Sequence, residues 1–211
     1  NEGVNVGITG RNEEHLKSTV AELEKLGVKA VYSVFNVEEM AQVEQGVASI
    51  ASQLGGIDIL INNAGVGDFG SFEDMPVETW EKVMKVNLFG VYYVAKATLP
   101  YLKQNKEGDI VNVASTAGLK GGPNMSAYCA SKAAVISLSQ SLMAELRKFN
   151  IRVITLTPST IATDMSIEGK LTDGNPEKVL QPEDFAEWVR DILKMNRRAM
   201  IASASIFSTN P

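Results

Sequence analysis

The amino-acid sequence predicts an α/β fold, a doubly wound parallel sheet flanked by helices. Three observations carry that expectation. Short β-branched runs alternate with stretches of helical periodicity along the whole 211 residues. The strand runs are near-continuously apolar, as in sheets covered on both faces. Glycines and capping residues stand at the junctions. No internal repeat, low-complexity tract or linker interrupts the alternation, so residues 1–211 read as a single domain.

The elements follow in order. The run Val4-Asn5-Val6-Gly7-Ile8-Thr9 reads as a short strand. Asn12 caps a helix whose first turn holds Glu13 and Glu14, at the positive end of its dipole. Leu16, Val20, Leu23 and Leu26 recur at helical spacing, and Gly27 stops the helix. Residues 28–35 are β-branched and aromatic, hence a strand. Val43, Val47, Ile50 and Leu54 form the next stripe, closed by Gly55-Gly56. Residues 57–61 form a strand, and a glycine-bearing loop leads to a long helix over 77–103. Residues 109–114 form a strand, 127–149 a helix, and 151–157 a strand closed by Pro158. Pro182 opens a final helix through Ile192, and 200–202 is the last strand expected.

Composition narrows the function. Hydrophobic residues make up 45% and charged residues 21%, an ordinary globular balance. A net charge of −5 argues against nonspecific nucleic-acid binding, which needs concentrated positive charge. No apolar stretch approaches membrane-spanning length. With one cysteine, Cys129, no internal disulfide can form, and a reducing, cytoplasmic setting fits. With one histidine, His15, among charged neighbours, no zinc site of the usual kind is expected. Cys129 is expected to face away from its neighbour Tyr128 and to pack in the core. Asn1 is an unusual first residue, and the expectation is that something upstream of it is missing.

In parallel sheets ligands bind beyond the carboxyl ends of the strands. The loops after Thr9, Phe35, Ile61, Ala114 and Thr157 are therefore the places to search. Gly10-Arg11-Asn12 carries no carboxylate for a ribose 2′-hydroxyl, whereas Arg11 suits a 2′-phosphate and hence NADPH. Arg11 reads equally as a surface arginine beside a helix start. Asn36, followed by Val37, offers an amide to an adenine, or serves as a turn residue or helix cap. In Asn62-Asn63-Ala64-Gly65, small residues let a cofactor approach the backbone, and Asn side chains tie the loop down.

The strongest signal is the pair Val113-Ala114-Ser115-Thr116-Ala117-Gly118 and Ala127-Tyr128-Cys129-Ala130-Ser131-Lys132. Ser115 sits at a strand end. Tyr128 and Lys132, four apart, share one helix face. A phenol with a pKa of roughly 10 is a poor acid at neutral pH. A nearby ammonium favours the phenolate and lowers that value, giving a proton donor suited to ketone reduction. Ser115 would hold the carbonyl oxygen.

These segments resemble the short-chain dehydrogenase/reductase family over essentially the whole chain. The string Asn62-Asn63-Ala64-Gly65, the serine, the Tyr-x-x-x-Lys pair and the 13-residue interval from Ser115 to Tyr128 carry the resemblance. Within the family the chain is most similar to bacterial 3-oxoacyl-acyl-carrier-protein reductases. The resemblance implies a Rossmann-type fold, NADPH, and a small-molecule or carrier-bound ketone substrate. It implies that Tyr128 protonates the oxygen and that Lys132 holds ribose hydroxyls. Asn87 matches the family's relay asparagine. Pro158, Ser159, Ile161 and Thr163 match the nicotinamide loop, with Ser159 where the family has glycine. Residues 165–176 match a lid, with Gly169 and Gly174 as its movable points.

The resemblance also implies partners and a deficit. Lys103, Lys106, Lys120, Arg147 and Lys148 are candidates for a basic rim, or simply solvated helix surface. A homotetramer or homodimer would pack through the two long helices. Trp80, Val83, Val91 and Val94 on one helix, and Ala130, Ser131, Ala133, Ala134 and Ser137 on the other, are the interface candidates. The family's first strand, its glycine-rich phosphate loop and the next helix have no counterpart in the chain. Asn1-Glu2-Gly3-Val4 looks like the end of that helix, so the sheet is expected to lack a central strand.

Overall fold

The computed structural model describes residues 2–209; the reading of Asn1 lies outside the described residues. Strands and helices alternate as β1 (Val6–Gly10), α1 (Glu13–Glu24), β2 (Ala30–Val34), α2 (Met40–Leu54) and β3 (Ile59–Asn62). They continue as α3 (Val77–Met84), α4 (Gly90–Gln104), β4 (Gly108–Val113), α5 (Ser126–Leu146) and β5 (Ile151–Pro158). The chain closes with α6 (Asp164–Glu168), α7 (Pro182–Lys194) and β6 (Ser203–Ile206). The fold is α/β, and every strand pairing is parallel.

Local rules decide most boundaries. The Asn12 side chain accepts from the His15 N–H at 3.1 Å, capping α1 above Glu13 and Glu14. Gly55 ends α2 with φ +86°, in the left-handed region where a Cβ is strained. Pro182 opens α7.

The sheet falls into two parts, β1-β2 and β3-β4-β5-β6. Among the described residues no strand lies between β1 and β3. Residues 2–5 are irregular rather than the end of a helix.

The core follows strand alternation. On β4 and β5, Ile110, Ile151 and Val153 pack with Leu102 and Leu146 from α4 and α5. Val111, Ile154 and Leu156 face the other side and pack with Val189 and Ile192 of α7. Helices thus cover both faces. Phe35, Val43 and Val47 seat α2 against α4 through Tyr93, Val94 and Tyr101. No helix of the described residues is long and apolar enough to cross a membrane.

Three expectations are corrected. The long helix is not uniform, since a π turn over Lys85–Phe89 separates α3 from α4. The last strand is Ser203–Ile206, not 200–202, because Met200 and Ile201 pack into the α7 core instead of joining the ladder. Val83 and Val91 are buried inside the protomer and Val94 packs against Phe35, so these do not form an outer face. The exposed aromatics of that helix are Phe89 and Tyr92. On α5, Ala130, Ala133 and Ser137 face outward while Ser131 is buried.

Candidate active site

The carboxyl ends of the parallel strands bring the predicted residues to one end of the sheet. Ser115 follows β4 directly. It caps a short 3-10 turn, its hydroxyl accepting from the Ala117 N–H at 3.1 Å. That turn lies against α5: a Cβ on Gly118 would stand 2.7 Å from the Lys132 carbonyl carbon. Only glycine permits this approach, which sets Ser115 beside the α5 face bearing Tyr128 and Lys132.

Tyr128 and Lys132 lie one turn apart, with the Lys132 ammonium 5.7 Å from the phenol ring centre. Lys132 is 5% exposed, and among the described residues its side chain makes one hydrogen bond, from Nζ to the Val113 carbonyl at 2.9 Å. Burial lowers its pKa from 10.5 to about 8, because no carboxylate compensates the lost hydration. The Tyr128 phenol is pushed up, first by burial, while the neighbouring Ser115 hydroxyl pulls the other way. This differs from the sequence expectation of a phenol lowered by lysine. The Lys132 charge is turned onto the Val113 carbonyl rather than the phenol oxygen, and desolvation dominates.

Asn87 is fully buried within the π turn. Its Oδ1 accepts from the Val66 N–H at 2.8 Å, and its Nδ2 donates to the Val66 carbonyl at 3.0 Å and to Ser131 Oγ at 3.0 Å. Ser131 Oγ in turn donates to the Tyr128 carbonyl at 2.8 Å. One amide thus ties the loop after β3 to the Tyr128 helix. A Cβ on Gly65 would stand 3.4 Å from Asn87 Oδ1 and 3.6 Å from Lys132 Nζ, so these groups converge beneath Gly65. Asn62 anchors the same loop from below through the buried chain Asn62, Asn112, Ser139.

The other candidates occupy the neighbouring loops. Arg11 is exposed at the end of β1. Asn36 forms a turn of its own, its Oδ1 accepting from the Glu38 N–H at 3.2 Å and its Nδ2 donating to Glu38 at 3.0 Å. Val37 packs into the α2 core beside Gly90. Asn63 and Ala64 are exposed above Gly65.

The loop after β5 is held firmly. Pro158 ends β5, and the Ser159 N–H donates to the Ile206 carbonyl at 2.8 Å. Ser159 is absent from the residues with positive φ, so serine serves there without strain. The buried Ser166 hydroxyl donates to the Ile161 carbonyl at 2.6 Å and accepts from the Thr163 N–H at 3.0 Å. The lid segment therefore starts with a helix, α6, rather than a free loop. Gly169 has φ −71°; what it provides is close approach to Phe69, not an unusual backbone.

One expectation is displaced. Lys103, Lys106, Arg147 and Lys148 immediately precede β4 and β5 in the chain. They therefore lie at the amino ends of the parallel strands, away from Ser115, and do not rim the site. Lys103 and Lys148 instead stand over the Phe149 ring. Lys120 alone follows the Ser115 turn. Cys129 is buried, as expected of a core residue.

Sequence reasoning missed Ser131, the Val66 backbone, Ser166 and Phe69. The first three act through hydrogen bonds that no spacing reveals. Phe69 left one faint signal, glycines at 67 and 169.

The site's residues fit a nicotinamide cofactor on two grounds. Lys132 is a buried ammonium with donors to spare, and Gly65 leaves an open backbone above it. The arrangement offers a phenol, a hydroxyl at a strand end and a buried cation, groups chemically able to transfer a proton to an oxygen.

Comparison with known proteins shows what the chain is similar to. A family model described as short chain dehydrogenase matches residues 1–173. The chain is 33% identical to a protein of Xanthobacter autotrophicus named inactive 2-(S)-hydroxypropyl-CoM dehydrogenase 2, over 99% of this chain and 94% of the relative. It is 37% identical to the 3-oxoacyl-acyl-carrier-protein reductase FabG of Thermotoga maritima, over 84% of this chain and 70% of the relative. It superposes with a TM-score of 0.89 on an actinorhodin polyketide ketoreductase solved with NADPH, at 29% identity, covering 97% of this chain and 87% of the other.

Proposed function

The chain belongs to the short-chain dehydrogenase family, and on that premise we propose that it reduces a ketone to a secondary alcohol with NADPH. The observation that carries this reading is the convergence of Ser115, Tyr128, Lys132 and Asn87 around Gly65. Bound NADPH supplies a hydride to the carbonyl carbon. Every other task falls to the chain's own side chains.

Burial holds the Tyr128 phenol protonated at neutral pH, so it meets the substrate oxygen as an acid. The Ser115 hydroxyl, set by its turn, donates to the same oxygen and orients it. Lys132 holds ribose hydroxyls with the donors that Val113 leaves free, and its charge stabilises the tyrosinate left after proton transfer. Asn87 keeps the Val66 loop and the Tyr128 helix in register. Asn63, Ala64 and Gly65 line the path of the cofactor, and Ile161 and Thr163 present backbone and hydroxyl groups to its carboxamide. Pro158 and Ser159 shape that loop, while Arg11 selects a 2′-phosphate and Asn36 and Val37 border the adenine.

A 3-oxoacyl thioester, free or on a carrier protein, is the first substrate to test. The resemblance and the FabG relative support it. Sugar, steroid and other secondary-alcohol substrates form the second reading. Acetoacetyl-CoA with NADPH, followed as loss of absorbance at 340 nm, separates the two. Turnover supports the first reading. Turnover of another ketone without turnover of acetoacetyl-CoA removes it. The inactive relative keeps a third reading in view, a protein that binds nucleotide without chemistry. NADPH binding without turnover of any ketone would favour it. Association of protomers through the exposed residues of α4 and α5, such as Tyr92 and Ala133, completes the proposal. Sedimentation velocity measures it.

A further inference from the structure

Beside Tyr128 the wall of the site is apolar, and one ring organises it. The Phe69 ring meets the Tyr128 ring edge-on, with centroids 5.7 Å apart and planes at 66°. It fills the places where side chains on two glycines would stand. A Cβ on Gly67 would lie 2.8 Å from Phe69 Cζ, and one on Gly169 would lie 2.8 Å from Phe69 Cε2. Gly67 belongs to the loop after β3, and Gly169 follows α6. Phe69 therefore closes the space between that loop, the Tyr128 helix and the lid.

Next to it opens a cleft of about 540 Å³, lined by Phe69, Pro123, Met125 and Leu171 with Ser71 and Asn124. Among the described residues no charged side chain lines it. Part of its polar lining is engaged, whereas the Asn124 side-chain amide makes no hydrogen bond among the described residues. The Ser71 hydroxyl donates to Asp74 Oδ2 and accepts from the Asp74 N–H, and the Asn124 carbonyl accepts from the Gly70 N–H at 2.9 Å. A carboxylate or a row of hydroxyls entering here would lose water and find no charged partner and, beyond the Asn124 amide, little to replace it. A hydrocarbon chain loses nothing and gains contact with Phe69 and Met125.

We propose, resting on the ketone-reduction reading above, that this cleft receives the uncharged hydrocarbon part of the ketone substrate and that Phe69 determines that preference. Acyl chains and apolar rings are substrates; charged polyhydroxy ketones are not. Phe69 also seats the lid, because its ring spans Gly67 and Gly169.

The test compares the 2-ketones from 2-butanone to 2-octanone with 5-ketogluconate, using NADPH and the intact protein. In the wild type, kcat/KM rises about fourfold per methylene, and 5-ketogluconate falls far below 2-octanone. Phe69→Ala flattens the rise, mostly through KM, while Phe69→Leu retains most of it and guards against a folding defect in the alanine variant. A flat series in the wild type, or a preference for 5-ketogluconate, overturns the proposal. A separate measurement, saturation-transfer NMR of 2-octanone with the protein, needs no turnover. If no ketone is reduced, the ketone-reduction reading fails. A 2-octanone signal that drops in Phe69→Ala still upholds the cleft, and no signal in the wild type overturns it.

Discussion

Replacing Lys132 with methionine is expected to stabilise the protein without nucleotide while removing its activity. Lys132 is 5% exposed and its pKa falls from 10.5 to about 8, with burial as the cause. At about 1.36 kcal/mol per pH unit, that fall means the buried charge costs about 3 kcal/mol of stability at pH 7. Methionine carries no charge but leaves the Val113 carbonyl without its donor, a loss of about 1 kcal/mol. The net gain at pH 7 is then about 2 kcal/mol. The unfolded chain keeps the lysine proton to 10.5, whereas the folded chain releases it near 8. Between those values the unfolded state binds more protons, so wild-type stability rises with pH and the advantage of the variant disappears by about pH 10. Urea unfolding of both proteins at pH 7 and pH 10 measures this. A variant less stable than wild type at pH 7, or a difference independent of pH, would refute the reasoning.

Other substitutions probe the remaining parts. Arg11→Ala is expected to raise KM for NADPH about tenfold or more, the loss of a charged hydrogen bond, and to leave KM for NADH unchanged. An unchanged KM for NADPH removes Arg11 from the cofactor site. Asn87→Ala strips partners from the Val66 N–H and carbonyl and from Ser131. It should cost about 3 kcal/mol in urea unfolding; a loss below about 1 kcal/mol would mean the tie is not structural. Far from the site, Arg152 is buried and holds Asp109 through Nε at 2.6 Å and Nη2 at 2.8 Å. Asp109→Ala leaves that guanidinium unpaired and should destabilise by about 3–5 kcal/mol, with kcat unchanged where the protein remains folded. A near-neutral effect would show that water replaces the carboxylate.

The strand–helix alternation was legible because each strand run is short and each helical stripe keeps its period. Capping chemistry at Asn12, Gly55 and Pro182 was equally plain, since it depends only on neighbours. The π turn at Lys85–Phe89 was not, because it responds to what Asn87 binds across space. Nor was the last strand: Met200 and Ile201 look as strand-like as their successors, and only packing against α7 separates them. That Ser115, Tyr128 and Lys132 share one place was legible from the strand end, the four-residue spacing and the family resemblance together, as their helix and strand end are local. The pKa pattern could not, because it depends on how deeply Lys132 is buried and where its ammonium points. The basic residues show the converse. Charge can be read from sequence, but which end of the sheet it occupies follows only from the order of strands and helices.

The central claim is that Tyr128 delivers the proton in a nucleotide-dependent ketone reduction. Initial rates of NADPH oxidation with acetoacetyl-CoA and 2-octanone, for wild type and Tyr128→Phe at equal nucleotide saturation, test it most directly. The account predicts turnover by the wild type and a loss of about 100-fold or more in the variant, with NADPH affinity retained. Equal rates in the two proteins would contradict it.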